Sequence, residues 1–174
     1  MELRGLTCIL RNWCDSDLES LVENANNKKV YDNLRDLFPH PYTKEDARHW
    51  IDICKNQALP LTNFAVETEG KAVGSIGLVL KEDVHRKNIE IGYWLGEKYW
   101  GRGIITEAIK LMVDYAFENF DAVRIYAEFF NGNTGSQRVL EKNGFKYEAT
   151  LYQSIFKNNR FNDSKIYSLL KKGI

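Results

Sequence analysis

Two hydrophobic periods alternate along the chain, one of two residues and one of 3.6, and they divide it into short strands and amphipathic helices. Leu6 to Arg11 reads as a first strand. Asp15, Ser16 and Asp17 then offer capping oxygens ahead of the helical spacing Leu18, Leu21, Val22, Ala25, which fades in Asn26 and Asn27. Tyr31 to Tyr42 holds Leu34, Leu37, Phe38 and Pro39-His40-Pro41 without a sustained period, so it reads as a loop with much apolar surface. Thr43 caps a second helix through Ala47, Trp50, Ile51 and Cys54. From Asn63 to Leu80 the period is two, with Phe64 and Val66, then Val73, Ile76 and Leu78, broken by a hairpin turn at Glu69-Gly70. In Asn88 to Gly96 the side chains of Ile89, Ile91, Tyr93 and Leu95 point one way, and Glu90, Gly92 and Trp94 point the other. Ile105, Ala108, Ile109, Met112 and Ala116 give the longest helical stripe. Ala122 to Phe130 is a strand, Asn133 caps a helix carrying Val139 and Leu140 with Asn143-Gly144 as its stop, and Phe145 to Phe156 and Lys165 to Leu170 finish as strands.

An antiparallel run followed by two strand and helix alternations predicts an α/β (α+β) fold, a mixed sheet with helices on its faces, and excludes a pure sandwich or bundle. No repeat, low-complexity tract or Ser/Gly-rich linker divides the 174 residues, so 1–174 reads as a single domain. The 24 Lys and Arg balance the 24 Asp and Glu, which leaves no global field for a nucleic acid or an anionic membrane. Glu2 and Arg4 interrupt the apolar region that a secretory signal needs, and no run approaches the roughly 18 apolar residues of a membrane span. Cys8, Cys14 and Cys54, an odd number, read as thiols in a reducing compartment, hence a cytoplasmic protein. His40, His49 and His85 lie in different elements without ligand spacing, so no metal is expected.

The segment from Leu95 to Glu107 carries the clearest chemistry, because glycines stand where a strand ends and a helix begins. The first turn of a helix has unpaired N–H groups and a partial positive charge. Gly101 and Gly103 remove side chains that would keep an anion away, and Arg102 adds charge. The segment is neither a Walker loop, which needs Gly-Lys-Ser/Thr, nor the dinucleotide fingerprint, whose third glycine position is Thr106 here. Asp32, Asn33, Phe38 and Tyr42 in the long loop are candidates for substrate contacts, since such loops commonly carry binding residues, and Tyr152 in the late strand is a similar rim candidate.

Four ordered motifs stand at compatible spacing: Glu90-Ile91-Gly92-Tyr93-Trp94-Leu95, Tyr99-Trp100-Gly101-Arg102-Gly103-Ile104, Asn133-x-x-Ser136, and Leu140-Glu141-Lys142-Asn143-Gly144-Phe145. Together they resemble the GNAT superfamily of acetyl-CoA-dependent N-acetyltransferases, and within it the branch of ribosomal-protein N-terminal (alanine/serine) acetyltransferases. The loop ending Pro39-His40-Pro41-Tyr42-Thr43 resembles that branch as well. The resemblance implies a mostly antiparallel sheet of about seven strands, splayed between the fourth and fifth, with acetyl-CoA in the opening. Carried over by position, backbone N–H groups of Trp100, Gly101, Arg102, Gly103, Ile104, Ile105 and Thr106 hold the pyrophosphate. The pantetheine arm pairs with the backbone of Ile91, Tyr93, Trp94 and Leu95, and Asn133 caps its helix or bonds the cofactor. A bulge at Gly96 and its neighbours leaves an N–H near Trp94 or Leu95 to polarise the thioester carbonyl.

Trp100 stands where the superfamily often has Gln or Arg, and Ile105 where Gly or Ala is common. Many members place a tyrosine general acid at the position of Leu140, which cannot donate a proton, so Ser136 is the candidate partner of the departing thiolate. Glu90 on the fourth strand and Glu128 on the fifth compete as general base for the acceptor ammonium, and Glu90 is favoured because a carboxylate in an apolar strand at the splay is unusual. The implied activity is direct acetyl transfer in a ternary complex to a primary amine, either a protein N-terminus or a small molecule. The alternative, motivated by Leu140, is a non-catalytic CoA-binding or regulatory module. Exposed late strands are compatible with a homodimer.

Overall fold

In a computed structural model, which describes residues 1–173, the chain opens with two short strands, Glu2–Arg4 (β1) and Ile9–Arg11 (β2), paired antiparallel. The continuous strand expected from Leu6 to Arg11 is therefore corrected. The Gly5 N–H donates to the Cys8 carbonyl at 2.9 Å and closes a turn, and Leu6 at its tip is 99% exposed. Alternation alone does not separate strand from turn over so few residues. There follow Leu18–Ala25 (α1), Lys28–Tyr31 (α2), Lys44–Lys55 (α3), Asn63–Thr68 (β3), Lys71–Leu80 (β4) and Asn88–Leu95 (β5). Ile104–Asn119 (α4), Arg124–Phe130 (β6), Thr134–Lys142 (α5), Lys146–Lys157 (β7) and Arg160–Leu170 (β8) complete the chain. The strands form an eight-stranded sheet in the order β1-β2-β3-β4-β5-β6-β8-β7, one more than the pattern predicts because β1 is too short to show a period. The β5–β6 ladder is parallel and joins Asn88, Ile89 and Glu90 to Arg124, Ile125 and Tyr126.

Two compact units emerge, one of Met1–Gly77 with Tyr93–Met112, the other of Leu78–Gly92 with the chain from Val113 onward. In the first, Leu21 and Ala25 of α1 and Ala47, Ile51 and Cys54 of α3 bury their stripes with Trp13, Tyr42, Ala65 and Ala72. Thr43 and Asp46 form the expected start of α3: Asp46 N–H donates to the Thr43 hydroxyl at 3.2 Å, and Thr43 N–H donates to the Asp46 carboxylate at 2.8 Å. The Asp17 side chain does not cap α1; its carboxylate takes both guanidinium arms of Arg11, at 2.7 and 2.8 Å, and the Cys14 N–H at 3.0 Å. The apolar loop begins with α2, whose N–H groups at Lys29 and Val30 donate to Asn27 Oδ1; four residues are too few to reveal a helical period. Glu69 and Gly70 have φ of 53° and 74°, the left-handed pair that a two-residue hairpin turn requires.

In the second unit β6 pairs with β8 along its whole length. The β7–β8 turn is Asn158-Asn159, with φ of 52° and 58°, so β8 starts at Arg160 rather than Lys165. Here the asparagines, tolerant of positive φ, mark the turn. β7 bulges between Leu151 and Ile155, with Gln153 at φ 52°. Asn133 Oδ1 accepts from the Ser136 N–H at 3.0 Å and caps α5, which Gly144 ends at φ 81°. Among the described residues, no helix is long and apolar enough to cross a membrane, and no group of three or more His, Cys, Asp or Glu is placed to hold a metal ion.

α4 fastens the amino-terminal turn. Its Glu107 carboxylate accepts from the backbone N–H of Leu6 at 2.7 Å and of Thr7 at 2.5 Å, and from the Thr7 hydroxyl at 2.6 Å. Burial opposes the charged carboxylate, yet these donors outweigh it and hold Glu107 below the usual carboxylate range. A depressed folded value stabilises the fold above the ordinary carboxylate range and loses that contribution as pH falls through the lower folded value. Glu107→Gln is expected to cost about 1 to 2 kcal/mol at neutral pH, the wild-type advantage shrinking below about pH 4, as urea unfolding across pH would read.

Candidate active site

The strand-to-helix junction lies in the first unit. β5 ends at Leu95, the Gly96 N–H donates to the Val73 carbonyl at 2.8 Å, and a 3-10 turn over Glu97–Tyr99 carries the chain to Trp100. Trp100 ties the loop back: its indole N–H donates to the Leu95 carbonyl at 2.7 Å and its backbone N–H to the Glu97 carbonyl at 3.0 Å. Its amide therefore does not join the expected anion-binding row, which begins at Gly101.

Gly101 and Gly103 have φ of 76° and 81°, and a Cβ added to either would meet nothing within 4 Å. Their conformation demands glycine, and the space before them is open. Ile104, the first residue of α4, is buried and anchors the helix, taking the inward place that the pattern gave to Ile105. The Glu107 N–H donates to the Gly103 carbonyl at 3.1 Å, an i to i−4 link, and Ile104, Ile105 and Thr106 form the turn before it at the positive end of a 16-residue helix. Arg102 stacks over the Tyr99 ring at 5.3 Å and stands 3.7 Å from Glu69, half exposed. Room, backbone donors and a positive dipole end fit a diphosphate.

Beside this junction Trp94 meets Phe38 edge to face at 5.5 Å, and Phe38 meets Tyr42 at 4.9 Å. Phe38 is half-buried. Tyr42 is 5% exposed, and burial, with the charge of Asp46, raises its hydroxyl above the ordinary tyrosine value. As a core residue it backs Phe38, so the structure corrects its expected place at the acceptor rim. Asp32 pairs with Lys28 at 2.7 Å and Asn33 Nδ2 donates to the Lys29 carbonyl at 2.9 Å, so both fasten the end of α2. Gly74 on β4 has a role that the pattern did not reveal: a Cβ there would run into the Trp94 carbonyl oxygen and the Leu95 backbone. Gly74→Ala should lower stability by about 2 to 3 kcal/mol in denaturant unfolding, because the obstacle is main chain that cannot swing aside.

The two candidate carboxylates lie in the second unit and share a face. Glu90 stands opposite Tyr126 in the β5–β6 ladder, and Glu128 follows two residues later on β6. Glu90 is 8% exposed, with Lys81 Nζ at 2.7 Å and the Tyr126 hydroxyl donating at 3.4 Å. Glu128 is half-buried and accepts from the Ser164 hydroxyl at 2.6 Å. α5 lies on the opposite face, where its Gln137 and Glu141 take bonds from Lys165 Nζ at 3.4 Å and the Tyr167 hydroxyl at 3.2 Å. Ser136 and Asn133 are at the start of that helix, and Leu140 is fully buried within it. Ile91 and Leu95 turn their side chains into the core, so only their main chain is available to a ligand, and Tyr93 is half-buried. Tyr152 stands at the β7 bulge, 81% exposed. Lys81 and Ser164 escaped the sequence reading, Lys81 beyond the hairpin pattern and Ser164 in a segment read as lying before the last strand.

The arrangement is that of a known domain. Residues 8–146 match the model of the acetyltransferase (GNAT) domain, and the chain belongs to that family. It is similar over 99% of its length to the uncharacterized N-acetyltransferase p20 of Bacillus licheniformis, at 32% identity over 177 residues and 90% of that protein. It is 30% identical over 128 residues to the ribosomal-protein-serine acetyltransferase of Escherichia coli strain K12, which is 72% of this chain and 71% of that protein. The matches to three Bacillus subtilis relatives span about half of those proteins' length, 44 to 56%. A crystal structure of a GNAT-family acetyltransferase from Bacillus anthracis superposes with a TM-score of 0.83 at 26% identity, over 98% of both chains. The same fold, at a TM-score of 0.85, 19% identity and 98% of both chains, is seen in RimL, a ribosomal L7/L12 alpha-N-protein acetyltransferase solved in complex with coenzyme A.

Proposed function

We propose that this chain transfers an acetyl group from acetyl-CoA to the amino terminus of a protein, the acceptor attacking directly in a ternary complex. The observation that carries the reading is the glycine loop ahead of α4, with Gly101 and Gly103 at positive φ and open space before them. When bound, acetyl-CoA supplies an activated acyl thioester. Backbone N–H groups from Gly101 to Thr106 hold its phosphates, and the main chain of Ile91, Tyr93, Trp94 and Leu95 aligns the pantetheine arm. Arg102 adds a cation whose guanidinium is steadied over the Tyr99 ring.

Glu128 takes the base role. Glu90 is already neutralised by Lys81, and accepting a proton would break that ion pair; Glu128 is met by a neutral hydroxyl. The Glu128 carboxylate accepts a proton from the acceptor ammonium, whose pKa of about 8 for a protein amino terminus makes the demand modest near neutral pH. Ser136 Oγ donates to the departing sulfur, because the position of Leu140 holds a buried hydrocarbon. The half-buried Phe38 and the exposed Tyr152 are the residues offered to the acceptor chain. Similarity to the ribosomal-protein-serine acetyltransferase supports a protein amino terminus as the acceptor.

Calorimetric titration with acetyl-CoA tests the cofactor reading: stoichiometric binding is expected in the wild type and at least about tenfold weaker binding in Gly103→Trp, which blocks the open loop. Thiol release with a peptide bearing an amino-terminal serine tests the transfer. Glu128→Gln should lower kcat about 100-fold and Glu90→Gln clearly less. A folded protein that ignores millimolar acetyl-CoA overturns the reading.

A further inference from the structure

Glu128 does not stand alone on its strand. Ser164 on β8 lies diagonally across the β6–β8 ladder, since Phe130 pairs with Ser164 and Glu128 with Ile166, and its hydroxyl donates to Glu128 Oε1 at 2.6 Å. Ser164 is 0% exposed, so its hydroxyl sits where an unmade bond is costly. A second hydroxyl meets it: Ser154 Oγ is 2.8 Å from Ser164 Oγ and is the donor of that pair, since the one Ser164 hydrogen goes to Glu128, and the Leu151 carbonyl at 3.1 Å is the competing acceptor for the Ser154 hydrogen. Ser154 is an exposed residue of the β7 bulge whose hydroxyl meets that of Ser164. The register passes from Leu151 opposite Ser164 to Ile155 opposite Asn162, so Tyr152, Gln153 and Ser154 face the single residue Asp163. Asp163 holds the bulge open by accepting the Gln153 N–H at 2.9 Å, with Gln153 at φ 52°. An irregularity with its own side-chain clamp, placing one hydroxyl behind another that bonds a carboxylate oxygen, is more than a ladder defect.

We infer that Ser164, supported by Ser154 through the β7 bulge, is the positioning residue of the general base: it fixes Oε1 of Glu128 and presents Oε2 to the acceptor amine. This rests on Glu128 being the base. In the step itself the ammonium N–H bond breaks, the proton passes to Oε2, and the nitrogen keeps the electron pair with which it attacks. Ser164 neither gains nor loses a proton; its hydrogen bond stops the carboxylate from rotating away. The same bulge exposes Tyr152, so acceptor contact and base orientation are built into one short segment.

The test uses steady-state kinetics with acetyl-CoA and the serine-terminated peptide on the full chain. Ser164→Ala is expected to lower kcat about tenfold while KM for both substrates stays within about twofold, with Ser164→Thr, which keeps the hydroxyl, recovering most of the rate. Ser154→Ala should give a smaller loss of the same kind. Wild-type kcat in Ser164→Ala, with Glu128→Gln strongly impaired, overturns this inference alone. A loss in Ser164→Ala that Ser164→Thr does not recover, or that appears as a raised KM, overturns it in favour of a packing role. Full activity in Glu128→Gln removes the base assignment and the inference together.

Discussion

The first turn of α4 carries N–H groups that no helical carbonyl can reach, and much of the first unit is arranged to leave them usable. Gly101 and Gly103 turn the chain into left-handed conformations and keep side chains away. Trp100 clamps the approach through both of its N–H groups, and Ile104 roots the helix in the core. Glu107 faces the amino-terminal turn, where backbone and hydroxyl donors absorb its charge. An anion arriving at the helix start therefore meets a carboxylate already satisfied by hydrogen bonds. Burial and that same carboxylate push the neighbouring Cys8 thiol up to about 12, so it remains protonated beside the turn.

The other unit answers a different electrostatic problem, that of keeping two carboxylates on one sheet face. One is neutralised by Lys81 and the other is held by a neutral hydroxyl. Arg124 settles the next carboxylate along, pairing with Glu148 while it stacks over Tyr126 at 4.7 Å. Three acids, on β5, β6 and β7, thus carry three distinct partners.

Much of this was legible in the chain. The Glu69-Gly70 and Asn143-Gly144 signals, the Thr43 and Asn133 caps and the α4 stripe all depend on local chemistry, and each lies where the spacing puts it. What the pattern missed depends on residues far apart in sequence. Leu6 to Arg11 alternates like a strand, and only Glu107, a hundred residues later, fixes the turn inside it. Glu90 stood out as a carboxylate in an apolar strand, but nothing local announces that Lys81 reaches it. Tyr42 looked like a loop aromatic because the loop gives no period, whereas the packing of α1 and α3 draws it into the core. The Ser154–Ser164–Glu128 chain joins three strands and has no signature in any one of them.

The interleaving of the two units has a consequence for how such a chain is inherited. Met1–Gly77 and Tyr93–Met112 build one body, Leu78–Gly92 and the residues from Val113 build the other, and the backbone passes from one to the other at three points. No single crossover in a gene exchanges one of these bodies for that of a relative while leaving the other whole. Exchanging either body whole takes a crossover at each of the three passages, whereas substitutions and short loop changes, as in the apolar segment or the β7 bulge, leave both intact.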